Sequence, residues 1–389
     1  MTSLSTLSDL SERMHRLIRA INDRNINAKP GKMAPKIYTM KEAEPLIGRK
    51  YHTIRAAEKE GRLQPRETLA DGRRTGYTLA DINRAREVFG TRLRRGAGDD
   101  PIRIAVSNFK GGSAKTTTTV HAAQYLAEHG LRVLLVDCDP QASSTAAFGY
   151  VPDDDVNVSN TLLPLLDGEQ SSLAYAIRET YWDSLDLIPS NLMLYNAEYG
   201  LAVEANKNPT ALLRLLLGLQ SIEQNYDVIL LDPPPALGMI SLSVMQAANA
   251  LVVPTPPALY DIFSTRAFFS MLVEVVETLQ RHFGEVDYKF VRLLVTRLDM
   301  NSETQQQLVE LLPEVMGNTL MRHSVTKTAA LDRAGMYGRS LYEVLPDSVP
   351  RKTWKRAVNH FNKANEELLL LIRQSWPSHA EVLREEGLL

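Results

Sequence analysis

Ile102-Arg103-Ile104-Ala105-Val106-Ser107-Asn108-Phe109-Lys110-Gly111-Gly112-Ser113-Ala114-Lys115-Thr116-Thr117 decides the fold of this 389-residue chain. Its first six residues read as a short buried strand, and Thr117 to His129 reads as a helix with Gly130 as its stop. Between them lies a glycine turn carrying two lysines. Strand, turn and helix start together make a cradle for a polyphosphate. Successive backbone N–H groups of Lys110, Gly111, Gly112, Ser113 and Ala114 face into the turn, and the helix dipole adds partial positive charge. Lys115 supplies a full charge, and the hydroxyls of Thr116 and Thr117 open the helix, with Thr116 where a Mg²⁺ ligand belongs.

The ordinary phosphate-loop pattern G-x-x-x-x-G-K-[ST] is broken here. Its two glycine positions hold Phe109 and Ala114, and the extra Lys110 stands inside the loop. Downstream, apolar runs of strand length at Arg132–Asp137, Leu185–Pro189, Asp227–Asp232, Ala250–Pro254 and Val291–Thr296 alternate with helical stretches such as Thr210–Gln224 and Ile262–Leu279. That alternation predicts an α/β fold, a doubly wound, mostly parallel sheet with its ligand at the carboxyl ends of the strands. Two of those ends carry acid. Asp137 and Asp139 fall on one side of an extended segment by the two-residue period, and Asp232 ends a second strand before three prolines.

The chain's net charge of −2 conceals an uneven distribution. Residues 1–100 hold 21 Lys+Arg against 13 Asp+Glu, and the remainder is correspondingly acidic. A basic front section on an acidic body points to nucleic acid handled by a dedicated module. The single cysteine, Cys138, excludes disulfides within the chain and any multi-cysteine metal site. No apolar run approaches membrane-spanning length and no signal-peptide core is visible, so a cytoplasmic protein without membrane attachment is expected.

Three segments are expected: a helix within 1–30, a helix-turn-helix module over 31–95, and the nucleotide domain over 100–389, with Gly90–Asp100 as linker. Leu7, Leu10, Met14, Leu17 and Ile21 make an apolar stripe that either packs on its own domain or forms a dimer seam, the latter being preferred. Thr39 caps a short helix, Gly48 turns the chain, and a second helix runs from about Lys50 to Lys59. It carries Lys50, Tyr51, His52 and Arg55; Arg73 and Arg74 then stand at the tip of a wing. At the other end, nine basic residues against three acidic ones lie between Thr319 and Asn365. A helix opened by Ser348 or Pro350 places Arg351, Lys352, Lys355 and Arg356 near its first turns. There they oppose the helix dipole, and a phosphate backbone would account for them. Leu368–Ile372 is read as the buried side of that helix.

The loop matches K-G-G-x-x-K-[ST] at every defined position, and so resembles the deviant-Walker ATPases that include ParA, Soj and MinD. The winged-helix order resembles MerR-type regulators and the front of the longer, type Ia (ParA/SopA-type) partition ATPases. The commonest family residue at Ala114 is glycine. The resemblance implies ATP and Mg²⁺ as cofactors, and Lys110, Lys115 and Asp139 as the catalytic set. Lys110 would reach the phosphates of a partner subunit in a homodimer, and Asp139 would orient the attacking water. Asp137 would support the Lys115 and Mg²⁺ region, Asp232 would hold Mg²⁺ through water, and Gln141 would brace the switch loop. Adenine contacts would come from Pro254–Asp261 and Thr296–Arg297. Implied partners are a ParB-type centromere-binding protein, nonspecific DNA on the nucleoid, and operator DNA for repression by the N-terminal module. A nucleotide-switched repressor and a MinD-like membrane ATPase are the rival readings.

Overall fold

The computed structural model describes residues 3–25, 35–68, 70, 72, 74–284, 286–336, 338–343 and 350–389. Seven strands form one sheet: β1 Ile102–Val106, β2 Val133–Asp137, β3 Arg178–Glu179, β4 Leu185–Ile188, β5 Val228–Asp232, β6 Ala250–Thr255 and β7 Val291–Val295. Their order is β3-β4-β2-β5-β1-β6-β7, parallel throughout except for the β3–β4 pair. The five runs expected from sequence are all strands; β2, β5 and β6 are buried along their whole length, as strands covered on both faces must be, while β4 and the edge strand β7 are partly half-buried. β3, a two-residue antiparallel edge, carries no such run and was not anticipated.

The register puts the acids where the fold needs them. Asp137 and Asp232 are paired across β2 and β5, at the carboxyl ends of neighbouring strands. β1 lies beside β5, so its phosphate loop opens onto the same rim.

The helix after that loop, Lys115–Glu128, is the axis of the molecule. Twelve of its fourteen residues are buried, which fits its lack of a polar face. The C-terminal helix Arg351–Gln374 lies along it through Phe361, Ala364, Leu368 and Ile372, so the leucine cluster is core. Pro350 occupies the N-cap of that helix, and Ser348 lies outside the described residues.

Helices Met40–Ile47, Tyr51–Lys59 and Leu79–Phe89 form the N-terminal module. Thr39 and Thr78 each make a full capping box, and Gly48 closes the first helix in the left-handed conformation. Antiparallel bridges Thr68–Arg74 and Tyr38–Tyr77 lie where the wing was expected. The module is bolted to the far end of the phosphate-loop helix. Glu128 accepts from Lys36 Nζ at 2.9 Å and Tyr38 OH at 2.7 Å, while Arg86 donates to the Glu128 carbonyl at 2.8 Å.

Gly90–Asp100 departs from the expected linker: it is packed. Arg92 donates to Gly130 O, Arg95 to Tyr226 O, and Trp376 Nε1 to Asp100 O. The arginines that looked like linker polarity are anchors.

Candidate nucleotide site

The loop Ser107–Ala114 is held open by bonds from three neighbours. Asn108 donates to Pro254 O at 2.9 Å and accepts the Lys110 N–H at 3.1 Å. Thr296 Oγ1 donates to Ser113 O at 2.9 Å, and Arg297 donates to Gly112 O at 2.7 Å. Thr296 and Arg297, expected against the base, both bond to the loop backbone. These bonds occupy the Gly112 and Ser113 carbonyls. Ala114, the N-cap, sits at φ 71°, a left-handed conformation that L-residues adopt at a cost. That is the physical reason glycine suits this position.

Lys115 is buried, with Nζ 3.4 Å from Lys110 O. Burial pulls its pKa down, and the carboxylates of Asp232 and Asp139 oppose that pull. Asp232 Oδ2 accepts from Thr116 Oγ1 at 2.8 Å and from Ser144 Oγ at 2.7 Å. Its other oxygen, Oδ1, is buried with no hydrogen-bond partner. A buried carboxylate oxygen in want of a partner beside a threonine hydroxyl fits Mg²⁺, bound directly or through its waters. Thr116 and Asp232 are therefore the residues that would hold the metal.

Asp137 is differently placed. Oδ2 accepts from both the backbone N–H and the hydroxyl of Thr145 at 2.7 Å, and Oδ1 accepts the Asp139 N–H at 3.2 Å. With both oxygens engaged it braces the turn after β2, beside the Lys115 and Mg²⁺ region it was expected to support. Burial raises the pKa of Asp137, and the facing Asp232 raises it further. Burial likewise raises Asp232, with Ser144, Thr116 and Lys115 pulling the other way. Asp139 is the most exposed of the three, at 8% against 0% for Asp137 and 1% for Asp232. It accepts the Gln141 N–H at 2.9 Å, and Gln141 Nε2 reaches Tyr195 OH at 3.2 Å.

Lys110 points elsewhere. Its Nζ pairs with Asp261 at 2.6 Å, at the start of the Leu259–Phe283 helix. Alongside, Gly112, Ala114, Thr117, Arg297 and Val325–Thr328 line a cleft of about 380 Å³, adequate for a purine nucleoside. Asn108, Ser144 and Thr145 escaped the sequence reading, and Asp261, inside the loop expected to contact adenine, was not read as the partner of Lys110. Only Asn108 and Asp261 carried a signal, by lying just beyond the ends of β1 and β6.

A family model for an AAA domain matches residues 102–284. The SopA protein of Escherichia coli strain K12 is 34% identical over 97% of this chain and 99% of its own length. The chain belongs to the ParA-type partition ATPases. The Soj sporulation initiation inhibitor of Bacillus subtilis is 29% identical over 61% of this ATPase and 89% of its own length. A solved partition protein superposes with a TM-score of 0.63 at 19% identity, covering 96% of this chain and 99% of that one, which shows the shared fold.

Two basic surfaces flank the ATPase core. In the N-terminal module Lys50, Tyr51, His52 and Arg55 are all exposed on the second helix. Arg74 is turned inward instead, pairing at 2.6 Å with the buried Glu58, which also accepts from Tyr77 OH. It holds the wing to the helix. Arg73 lies outside the described residues. At the C-terminal end Arg351, Lys352, Lys355 and Arg356 are all exposed. Among the described residues, no helix is long and apolar enough to cross a membrane.

Proposed function

We propose that this partition ATPase works as an ATP-sandwiched homodimer whose hydrolysis requires Lys110 from the partner subunit. One observation carries the reading: Lys110 Nζ is engaged by Asp261 while Lys115 alone addresses its own cradle. A lysine kept from its own phosphates, yet on the rim where they bind, is suited to serve another site. Charge developing on the γ-phosphate is then offset by Lys115 and Mg²⁺ within the subunit and by Lys110 across the interface. Asp139, at the edge of solvent, orients the attacking water. The adenine lies in the cleft beside Thr117 and Val325, with Thr296 acting on the nucleotide through the loop it braces.

The ATP-bound dimer grips nonspecific DNA on the nucleoid through Arg351, Lys352, Lys355 and Arg356. A ParB-type partner on the centromere stimulates hydrolysis and releases it, so cargo follows the retreating ATPase. Lys50, Tyr51, His52 and Arg55, with the wing bearing Arg73 and braced by Arg74, bind operator DNA and repress the partition operon. The Ser3–Asn25 helix adds a second dimer contact. Its stripe of Leu4, Leu7, Leu10, Met14 and Leu17 is exposed, at 52–75%, as an unpaired seam would be.

Substituting Lys110→Gln tests the central step. Nucleotide binding should persist within about threefold, while partner-stimulated turnover falls by about 10³-fold, the scale of a cation supplied in trans. Wild-type turnover should rise more than linearly with protein concentration. Stimulated turnover surviving in the variant, at a rate linear in protein, would refute the trans role.

A further inference from the structure

Two polar side chains of the Lys115–Glu128 helix bond to the C-terminal region: Gln124 Nε2 donates to Glu343 Oε2 at 3.1 Å, and His121 leads on from the phosphate loop to the basic helix. His121 is buried, and its Nε2 lies 3.2 Å from the Leu341 backbone nitrogen. A backbone N–H can only donate, so Nε2 is the acceptor. The ring proton is therefore on Nδ1, which donates to Thr117 O at 2.7 Å. The Leu341 carbonyl in turn accepts from Trp354 Nε1 at 2.9 Å. Three hydrogen bonds thus run without a break from Thr117, next to the metal-site Thr116, to Trp354, which stands between Lys352 and Lys355.

A second path runs parallel. The His121 ring stacks on Phe361 with centroids 4.2 Å apart and planes at 26°, and Phe361 itself lines the cleft beside Gly112 and Thr117. Asn365 Nδ2 donates to both His121 O and Tyr342 OH.

The receiving end is poorly fixed by its own sequence. The Arg351–Gln374 helix has no side-chain cap and no acid in its first turn, and it carries Arg351 and Lys352 against its dipole. Such a turn frays unless something outside holds it. Trp354 bonds that turn to the Leu341 carbonyl, and the bond leads back to the phosphate-loop helix.

We propose that His121 is the positioning residue that ties occupancy of the nucleotide site to the first turn of the basic helix, making that helix's grip on DNA depend on nucleotide. The inference rests on the reading that this helix contacts DNA. Burial lowers the His121 pKa to about 4, so the ring stays a neutral donor–acceptor at cellular pH and the relay is indifferent to modest acidification.

The test uses the full chain and a labelled random-sequence duplex at fixed salt, with Mg²⁺ and either ATPγS or ADP. Trp354→Phe keeps a ring but removes the Nε1 donor. His121→Phe keeps the stack but removes both ring bonds. Each should shrink the ATPγS-to-ADP ratio of DNA affinities about five- to tenfold, with nucleotide affinity unchanged within about twofold. His121→Gln, which retains a donor and an acceptor, should recover part of the ratio. The double variant should lose no more than either single one, because both cut one relay. If His121→Phe unfolds the protein, Trp354→Phe decides. A wild-type ratio in Trp354→Phe, with DNA binding still lost in a Lys352→Ala/Lys355→Ala variant, overturns the relay and leaves the DNA reading intact. DNA binding undiminished in that lysine variant overturns both.

Discussion

Two helices, Tyr51–Lys59 and Arg351–Gln374, carry exposed cations proposed to meet DNA, and they are held in opposite ways. The first belongs to a module that fixes itself. Its neighbours carry capping boxes at Thr39 and Thr78, Glu44 accepts the Tyr51 N–H at 2.7 Å, and Ile47, Ile54 and Ile82 give it a core. The second helix has no cap of its own and is placed by contacts with the phosphate-loop helix. A surface that fixes itself suits a contact made in any nucleotide state, whereas a surface fixed by the ATPase core suits one that the nucleotide controls.

Charge removal should separate the two. Lys352→Ala/Lys355→Ala should weaken random-DNA binding by at least about tenfold and lower its salt slope by about two, with operator binding preserved. Lys50→Ala/Arg55→Ala should do the reverse. Filter binding with both DNAs across a salt series reads the result, and loss of both activities in either variant would dissolve the distinction.

Acid should act on the ATPase end alone. Asp232 is raised by burial and must be ionised to hold Mg²⁺. Burial pushes its pKa up to about 6, so as pH falls from about 7.5 to about 6 roughly half the ionised form is lost and Mg²⁺-dependent nucleotide affinity should drop about twofold, about 0.4 kcal/mol. Calorimetry with and without Mg²⁺ checks this; an affinity flat across that interval would place the metal elsewhere. Operator binding through the N-terminal module should not follow the same curve.

A comparably small effect belongs to the loop. Ala114→Gly removes the cost of a left-handed L-residue, partly offset by a more flexible unfolded chain. A net gain of about 0.5 kcal/mol is expected in urea melts of the nucleotide-free protein. A loss would mean that Ala114 packing outweighs its backbone strain.

Much of this was legible in the residues, for reasons that differ by region. Val133–Asp137 and Val228–Asp232 are continuous apolar runs ending in acid, and only a strand buried on both faces reads so. The double-lysine loop declared its chemistry by spacing. What stayed hidden was set by contacts distant in sequence. Lys110 meets Asp261 only because β6 runs beside β1, and Arg74 turns inward only because Glu58 is buried beneath it. The Thr210–Gln224 stretch, helical in period, breaks into pieces: Pro209–Leu213 and Glu223–Asn225 are 3₁₀ turns flanking a short α-helix at Arg214–Gln220. Its period was right, but the chain must bend there to cover the sheet.

The most direct test of the account is the affinity of the intact, unsubstituted protein for random-sequence duplex, measured by anisotropy at one salt concentration with Mg²⁺ and either ATPγS or ADP. The account predicts binding at least about tenfold tighter with ATPγS, the scale of a nucleotide-coupled switch. Equal affinity in the two states would contradict it.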